Sequence, residues 1–138
     1  MKSISAFIVI FLLSSCDPRL AIEMANESNS KIEIIWDFNE ISEHNKHTFH
    51  ELFEGYDYIR IDSLEPLSST FIDFGIGTWD MDNKLDSLSN CLSKITIKSG
   101  NSSLIYKGED QIKHYLESTI IDQPKSIIRI KLRKSIGS

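Results

Sequence analysis

Residues 20–38 read Leu20-Ala-Ile-Glu-Met-Ala-Asn-Glu-Ser-Asn-Ser-Lys-Ile-Glu-Ile-Ile-Trp-Asp-Phe38, and they decide the fold class. Leu20, Ile22 and Met24 alternate with Ala21 and Glu23, the period of two that puts apolar side chains on one face of a strand. Asn26-Glu27-Ser28-Asn29-Ser30 is a run of turn formers. After it, Ile32, Ile34, Trp36 and Phe38 face one way while Lys31, Glu33 and Asp37 face the other. Two alternating runs around a polar turn predict a β-hairpin.

The same period recurs along the chain. Tyr58 to Asp62 reads as a strand with Ile59 and Ile61 inward, and Thr70 to Gly75 follows the Glu65-Pro66 turn. Ser93 to Lys98 and Ser103 to Lys107 flank Ser99-Gly100-Asn101-Ser102, a second hairpin. Ile128, Ile130 and Leu132 alternate with Arg129, Lys131 and Arg133. Seven short strands rich in β-branched Ile predict a mainly β fold, an antiparallel β-sandwich spanning residues 20–138. Leucines three and four apart mark a short helix over Asn83 to Leu92, and Ile112, Tyr115 and Leu116 mark another over Glu109 to Glu117. An α+β fold, with one helix across a sheet, is the alternative.

Composition agrees with one globular domain. The chain has 138 residues, 41% hydrophobic and 25% charged, enough to bury a core without a disulfide framework. Two cysteines provide no such framework. A net charge of −5 argues against a general nucleic-acid binder. The charge is uneven: residues 17–90 hold 16 acids and 5 bases, residues 91–138 hold 4 acids and 9 bases. Such asymmetry marks either an oriented surface or strands of the two halves lying side by side.

The N-terminus reads as an address. Lys2 is followed by an apolar run from Ile4 to Leu13, then by Ser14 and Ser15. Ten helical residues cover about 15 Å, half of a hydrocarbon core, so a cleaved signal at residues 1–15 is favoured over a spanning helix. Leu13-Ser14-Ser15-Cys16 resembles the lipobox of bacterial lipoproteins. That resemblance implies diacylglycerol on the Cys16 thiol, cleavage before Cys16 and N-acylation of the new amine, with no other cofactor. It implies export and a lipid anchor in the cell envelope. Asp17 is similar to the enterobacterial inner-membrane retention signal, a rule that does not extend to all Gram-negative bacteria, so either membrane stays open. The Ile-, Ser- and Asn-rich composition is similar to that of small Bacteroidetes lipoproteins. Residues 16–19 form a short tether, which predicts a domain held close to the bilayer.

Candidate sites are few. His44, His47 and His50 are spaced His-x-x-His-x-x-His, with Glu51 and Glu54 close by. In a helix, His47, His50, Glu51 and Glu54 share one face and suit a transition metal; the alternative is a solvated loop. Asp80, Asp82 and Asp86 lack the glycine and glutamate spacing of an EF-hand and predict N-capping of the helix that follows. Trp79, beside Asp80 and Asp82 after the Gly75 and Gly77 approach, suits either sugar stacking or a cap on the sandwich. Cys91, flanked by Leu88 and Leu92, reads as a buried small hydrophobe. Arg129, Lys131, Arg133 and Lys134 suit anionic headgroups or a partner, or protect an edge strand. No nucleophile elbow, phosphate loop or dinucleotide fingerprint is present. The expectation is a non-catalytic lipoprotein that binds another envelope protein, with an immunity or inhibitor protein as a specific version. A cell-wall carbohydrate module and a metal binder are the alternatives.

Overall fold

The computed structural model describes residues 17–121 and 123–133. The signal segment, Cys16 and Lys134 lie outside the described residues, as does the Arg133 side chain. Seven strands form where the alternation predicts them: β1 (Arg19–Glu27), β2 (Ile32–Phe38), β3 (Ile59–Leu64), β4 (Ser69–Ile76), β5 (Leu92–Ser99), β6 (Ser102–Lys107) and β7 (Ile127–Arg133). They build a three-stranded sheet of order β4-β1-β7 and a four-stranded sheet of order β3-β2-β5-β6. The four helices among the described residues are short: α1 (Glu43–Thr48), α2 (His50–Phe53), α3 (Lys84–Cys91) and α4 (Glu109–Thr119). The architecture is a β-sandwich-like α+β fold. None of these helices is long and apolar enough to cross a membrane.

The predicted hairpin of residues 20–38 does not form. β1 pairs with β4 antiparallel and with β7 parallel, while β2 pairs with β3 and β5. The polar turn carries the chain from one sheet to the other. Asn26 holds that crossing. Its side chain is buried, and Nδ2 donates to the carbonyls of Ser30 (2.8 Å), Leu64 and Glu65 (both 3.1 Å). Oδ1 accepts from the Ser28 N–H at 3.0 Å and from its hydroxyl at 2.6 Å. One amide thus satisfies backbone groups that a hairpin ladder would otherwise have paired. None of residues 27–31 takes the positive φ that tight hairpin turns require. Gly100, at φ 57°, does, and there the expected β5–β6 hairpin forms. The β1–β7 pair also departs from the all-antiparallel expectation.

The inner faces share one core. Ile22 and Met24 of β1 stand between Ile72 of β4 and the pair Ile128 and Ile130 of β7. Ile32, Ile34, Trp36 and Phe38 of β2 lie with Ile95 and Ile97 of β5. Each such side chain contributes about 1.5–3 kcal/mol on burial. Helices close both open sides. At the β3/β4 side, Phe53 of α2 meets Phe38 edge-on with ring centroids 4.8 Å apart, and Phe49 meets Phe74 of β4 at 5.6 Å. At the β6/β7 side, α4 buries Ile112 and Leu116 and stacks Tyr115 on Tyr106 at 3.8 Å.

β3 runs with the opposite phase to that expected. Ile59 and Ile61 face solvent, and Arg60 and Asp62 turn inward. The Trp36 indole explains the inversion. Its N–H is carried into the core and needs an acceptor, which Asp62 Oδ2 supplies at 2.9 Å. Arg60 then grips Asp62 with two hydrogen bonds, at 2.8 and 2.9 Å. It also donates to the Glu51 and Leu52 carbonyls at 2.8 and 3.2 Å. A cation thereby meets the unsatisfied carbonyl end of α2.

Candidate functional site

Trp79 is carried back over the end of the sandwich after Gly75 and Gly77, at φ 96° and 144°. Its ring is 1% exposed, lies parallel to Phe49 at 6.3 Å and meets Phe74 edge-on at 5.8 Å. Nε1 donates to the Ala21 carbonyl at 3.3 Å. No ring face is left for a sugar, so of the two roles open to Trp79 the structure favours the cap on the core and not the stacking role. The neighbouring acids have intramolecular partners. Asp80 accepts from the Thr78 hydroxyl, which holds its carboxyl below the usual range. Asp82 lies 3.5 Å from Lys84, and Asp86 lies 2.5 Å from Lys113, whose pKa it raises. The expected aspartate N-cap is also corrected: Asn83, in the left-handed conformation, occupies that position and makes no side-chain cap bond. A cleft of about 410 Å³ opens here between Trp79, Asp80, Asp86, Lys113 and Lys125.

Cys91 is buried at the end of α3, and Sγ lies 3.1 Å from the Ser87 carbonyl. Burial pushes its thiol up to about 11. A thiol so protonated is inert at neutral pH, in keeping with a small core hydrophobe.

The histidine segment is helical but broken. α1 ends at Thr48 because Phe49, at φ −111° and ψ 33°, leaves helical geometry and enters the core. The break removes the continuous face on which the metal expectation relied. His44, His47 and His50 all stay exposed. His50 and Glu51 come together with Glu54, their ligand atoms within 4.8 Å of one another, and His50 Nδ1 lies 3.6 Å from Glu51 Oε1. His44 is not part of this group. His47 lines a neighbouring cleft with His50, Glu51 and Asp73.

A larger cleft, about 750 Å³, runs along the segment between β2 and β3. Glu40, Glu43, Glu54 and Asp57 give it an acidic wall, and Phe53, Tyr56 and Tyr58 an aromatic one. Tyr58 is 72% exposed, and Ile59 and Ile61 of β3, a strand at the sheet edge, are exposed as well. Across the outer face of this sheet, Ile61, Ile35, Thr96 and Ile105 stand opposite one another on all four strands. Sequence reasoning missed this surface because it placed Ile59 and Ile61 in the core. The usable signal was Arg60 and Asp62 alternating with the two isoleucines.

The outer face of the other sheet is charged and internally paired. Glu23 binds Arg129, Glu27 lies 3.5 Å from Lys131, and Asp73 binds Arg19, which covers the Phe71 ring at 4.3 Å. The acidic and basic halves of the chain therefore mix, and Arg129 and Lys131 do not form a basic strip of unpaired charges. No family model, curated protein or solved structure matches this chain.

Proposed function

We propose that this protein is a lipoprotein of the bacterial cell envelope, anchored through acylated Cys16, whose domain is a non-catalytic binding module for another envelope protein. The lipobox-like Leu13-Ser14-Ser15-Cys16 supports the anchor. One observation carries the binding role: Ile59 and Ile61 stand exposed on the outer face of edge strand β3, Ile61 in a cross-strand row with Ile35, Thr96 and Ile105. Exposed apolar surface of this kind costs solubility and is characteristic of protein contact sites. β3 also presents a strand edge to which a partner strand can add.

The acids beside Tyr56 and Tyr58 favour a second reading, a glycan held in the neighbouring cleft of about 750 Å³. Affinity purification of the full-length, acylated protein from detergent-solubilised membranes separates the two. The protein reading expects one near-stoichiometric partner, lost with Ile61→Asp and retained with Arg129→Ala. A folded, acylated preparation that brings down no protein, but whose tyrosine fluorescence responds to peptidoglycan fragments, overturns it in favour of the glycan. For the anchor, Cys16→Ser is expected to stay uncleaved or soluble. A variant that is still processed and membrane-bound contradicts the lipobox reading.

A further inference from the structure

The first described residues meet the end of the domain at a definite place. The Gly77 N–H donates to the Pro18 carbonyl at 2.9 Å, and Arg19 pairs in register with Ile76. On the other side of β1, the Ala21 N–H donates to the Ser126 carbonyl at 3.0 Å, and Trp79 N–H to the Lys125 carbonyl at 2.8 Å. The 76–83 loop and the Lys125 turn therefore flank the point where the chain comes in from Cys16. Ile76 is 68% exposed and Met81 56% exposed. Both lie in one short segment with Lys84 just beyond it, and Lys125 sits on the adjoining turn.

We infer that the Ile76–Met81 loop is the membrane-contacting tip of the domain, with the two apolar side chains seated in the lipid headgroup layer of the bilayer that holds Cys16. This orientation rests on the acylated-Cys16 reading. Two residues separate Cys16 from the Pro18 carbonyl, a reach of at most about 7 Å. The headgroup layer is about 5–8 Å deep on each side of the hydrocarbon core. A loop hydrogen-bonded to Pro18 has no room to stand clear of that layer. Its chemistry suits the position: an Ile and a Met gain by leaving water, and lysine stems reach along the interface to phosphate. Lys84 is already paired with Asp82, and Asp80 feels Lys125. Apolar insertion therefore dominates over net charge, and contact persists in zwitterionic lipid.

The opposite end of β1 provides the control. β1 is nine residues long, about 27 Å at the rise of a strand. At its far end the Asn26 N–H donates to the Ser68 carbonyl, beside Leu67, which is 75% exposed. Single cysteines at Ile76, Met81 and Leu67 can be labelled selectively, because Cys91 is buried and Cys16 is blocked when acylated. The full-length variants, their acylation checked by mass spectrometry, go into phosphatidylethanolamine–phosphatidylglycerol vesicles containing headgroup-level nitroxide lipid. Labels from Ile76→Cys and Met81→Cys are expected to be quenched at least threefold more than the label from Leu67→Cys. Hydrogen exchange of the unsubstituted protein is expected to slow over residues 76–83 on vesicle binding. Acylated protein with equal quenching at all three sites, or with Leu67 quenched most, overturns the orientation alone. Protein exported and folded without acyl mass on Cys16 overturns the anchor and the orientation with it.

Discussion

The two sheets use the same strand alphabet and both pair charges on their outer faces, but the second adds an outward row of isoleucines. On β4-β1-β7, charges that lie far apart in sequence are set side by side and neutralise one another, as in Glu23 with Arg129 and Asp73 with Arg19. On β3-β2-β5-β6, the ion pair of β3 is turned inward and its isoleucines outward. The contrast shows that an outward apolar row need not be a defect of packing. On β3 it follows from satisfying Trp36: the indole N–H takes Asp62, Asp62 takes Arg60, and Ile59 and Ile61 are left facing solvent.

The largest way to break this contrast is to remove the inward cation. Arg60→Ala leaves Asp62 largely buried beside one neutral donor and removes the bonds to the α2 carbonyls. Loss of one partner from a desolvated pair costs about 3–5 kcal/mol, and Arg60 is still partly exposed, so about 3 kcal/mol is expected in urea unfolding. Arg129→Ala also leaves a mostly buried carboxylate, Glu23, but removes no bonds to helix carbonyls, and Arg129 is itself more exposed than Arg60, so the substitution is expected to cost less than Arg60→Ala. Equal losses would contradict the assigned difference between the two faces.

Next comes the residue that joins the sheets. Asn26→Ala deletes one amide that serves three carbonyls and the Ser28 donors, leaving several buried groups unpaired. A loss of about 2–4 kcal/mol is expected, because each unsatisfied group costs about 1–3 kcal/mol and water reaches some of them. Gly100→Ala, in the ordinary hairpin of the second sheet, is expected to cost about 1 kcal/mol through its positive φ alone. If Asn26→Ala is the milder of the two, the crossing is not held as described.

Cys91 sharpens the comparison from beneath β5. Its thiol titrates near 9.0 when unfolded and is pushed up to about 11 when folded. Between these values the unfolded chain gives up a proton that the folded chain keeps. Stability from this group is therefore complete below pH 9 and is lost as pH rises towards 11. One pH unit is worth about 1.4 kcal/mol, so the two pH units between these values set an alkaline loss of up to about 3 kcal/mol, absent in Cys91→Ser. Identical alkaline slopes for the two proteins would show that the thiol is not buried as described.

The fold was legible where alternation and turn chemistry agree. Gly100 announced a true hairpin, and the leucines and isoleucines of α3 and α4 announced helices. The turn at Asn26 to Ser30 looked equally like a hairpin, since composition does not show whether an asparagine faces water or replaces a backbone partner. β3 was located but its faces were exchanged, because the rule that isoleucine points inward gives way to a buried indole with an unmet donor. Of the candidate sites, the segment holding His50, Glu51 and Glu54 was legible as irregular and polar. Its aromatic cleft was not, since Tyr56 and Tyr58 meet Glu40, Glu43 and Phe53 only in the folded chain. Trp79 stayed open between a sugar platform and a cap, because the glycines before it allow either path.

The central claim is that the outer face of β3, and not that of β4 in the other sheet, meets a protein partner. Photo-crosslinking tests it directly, with benzoylphenylalanine at position 61 or at position 71 in the full-length protein in native membranes. The account predicts one dominant protein adduct from position 61, purified and identified by mass, and only sparse adducts from position 71. Sparse labelling from 61, or the same adducts from both positions, would contradict it.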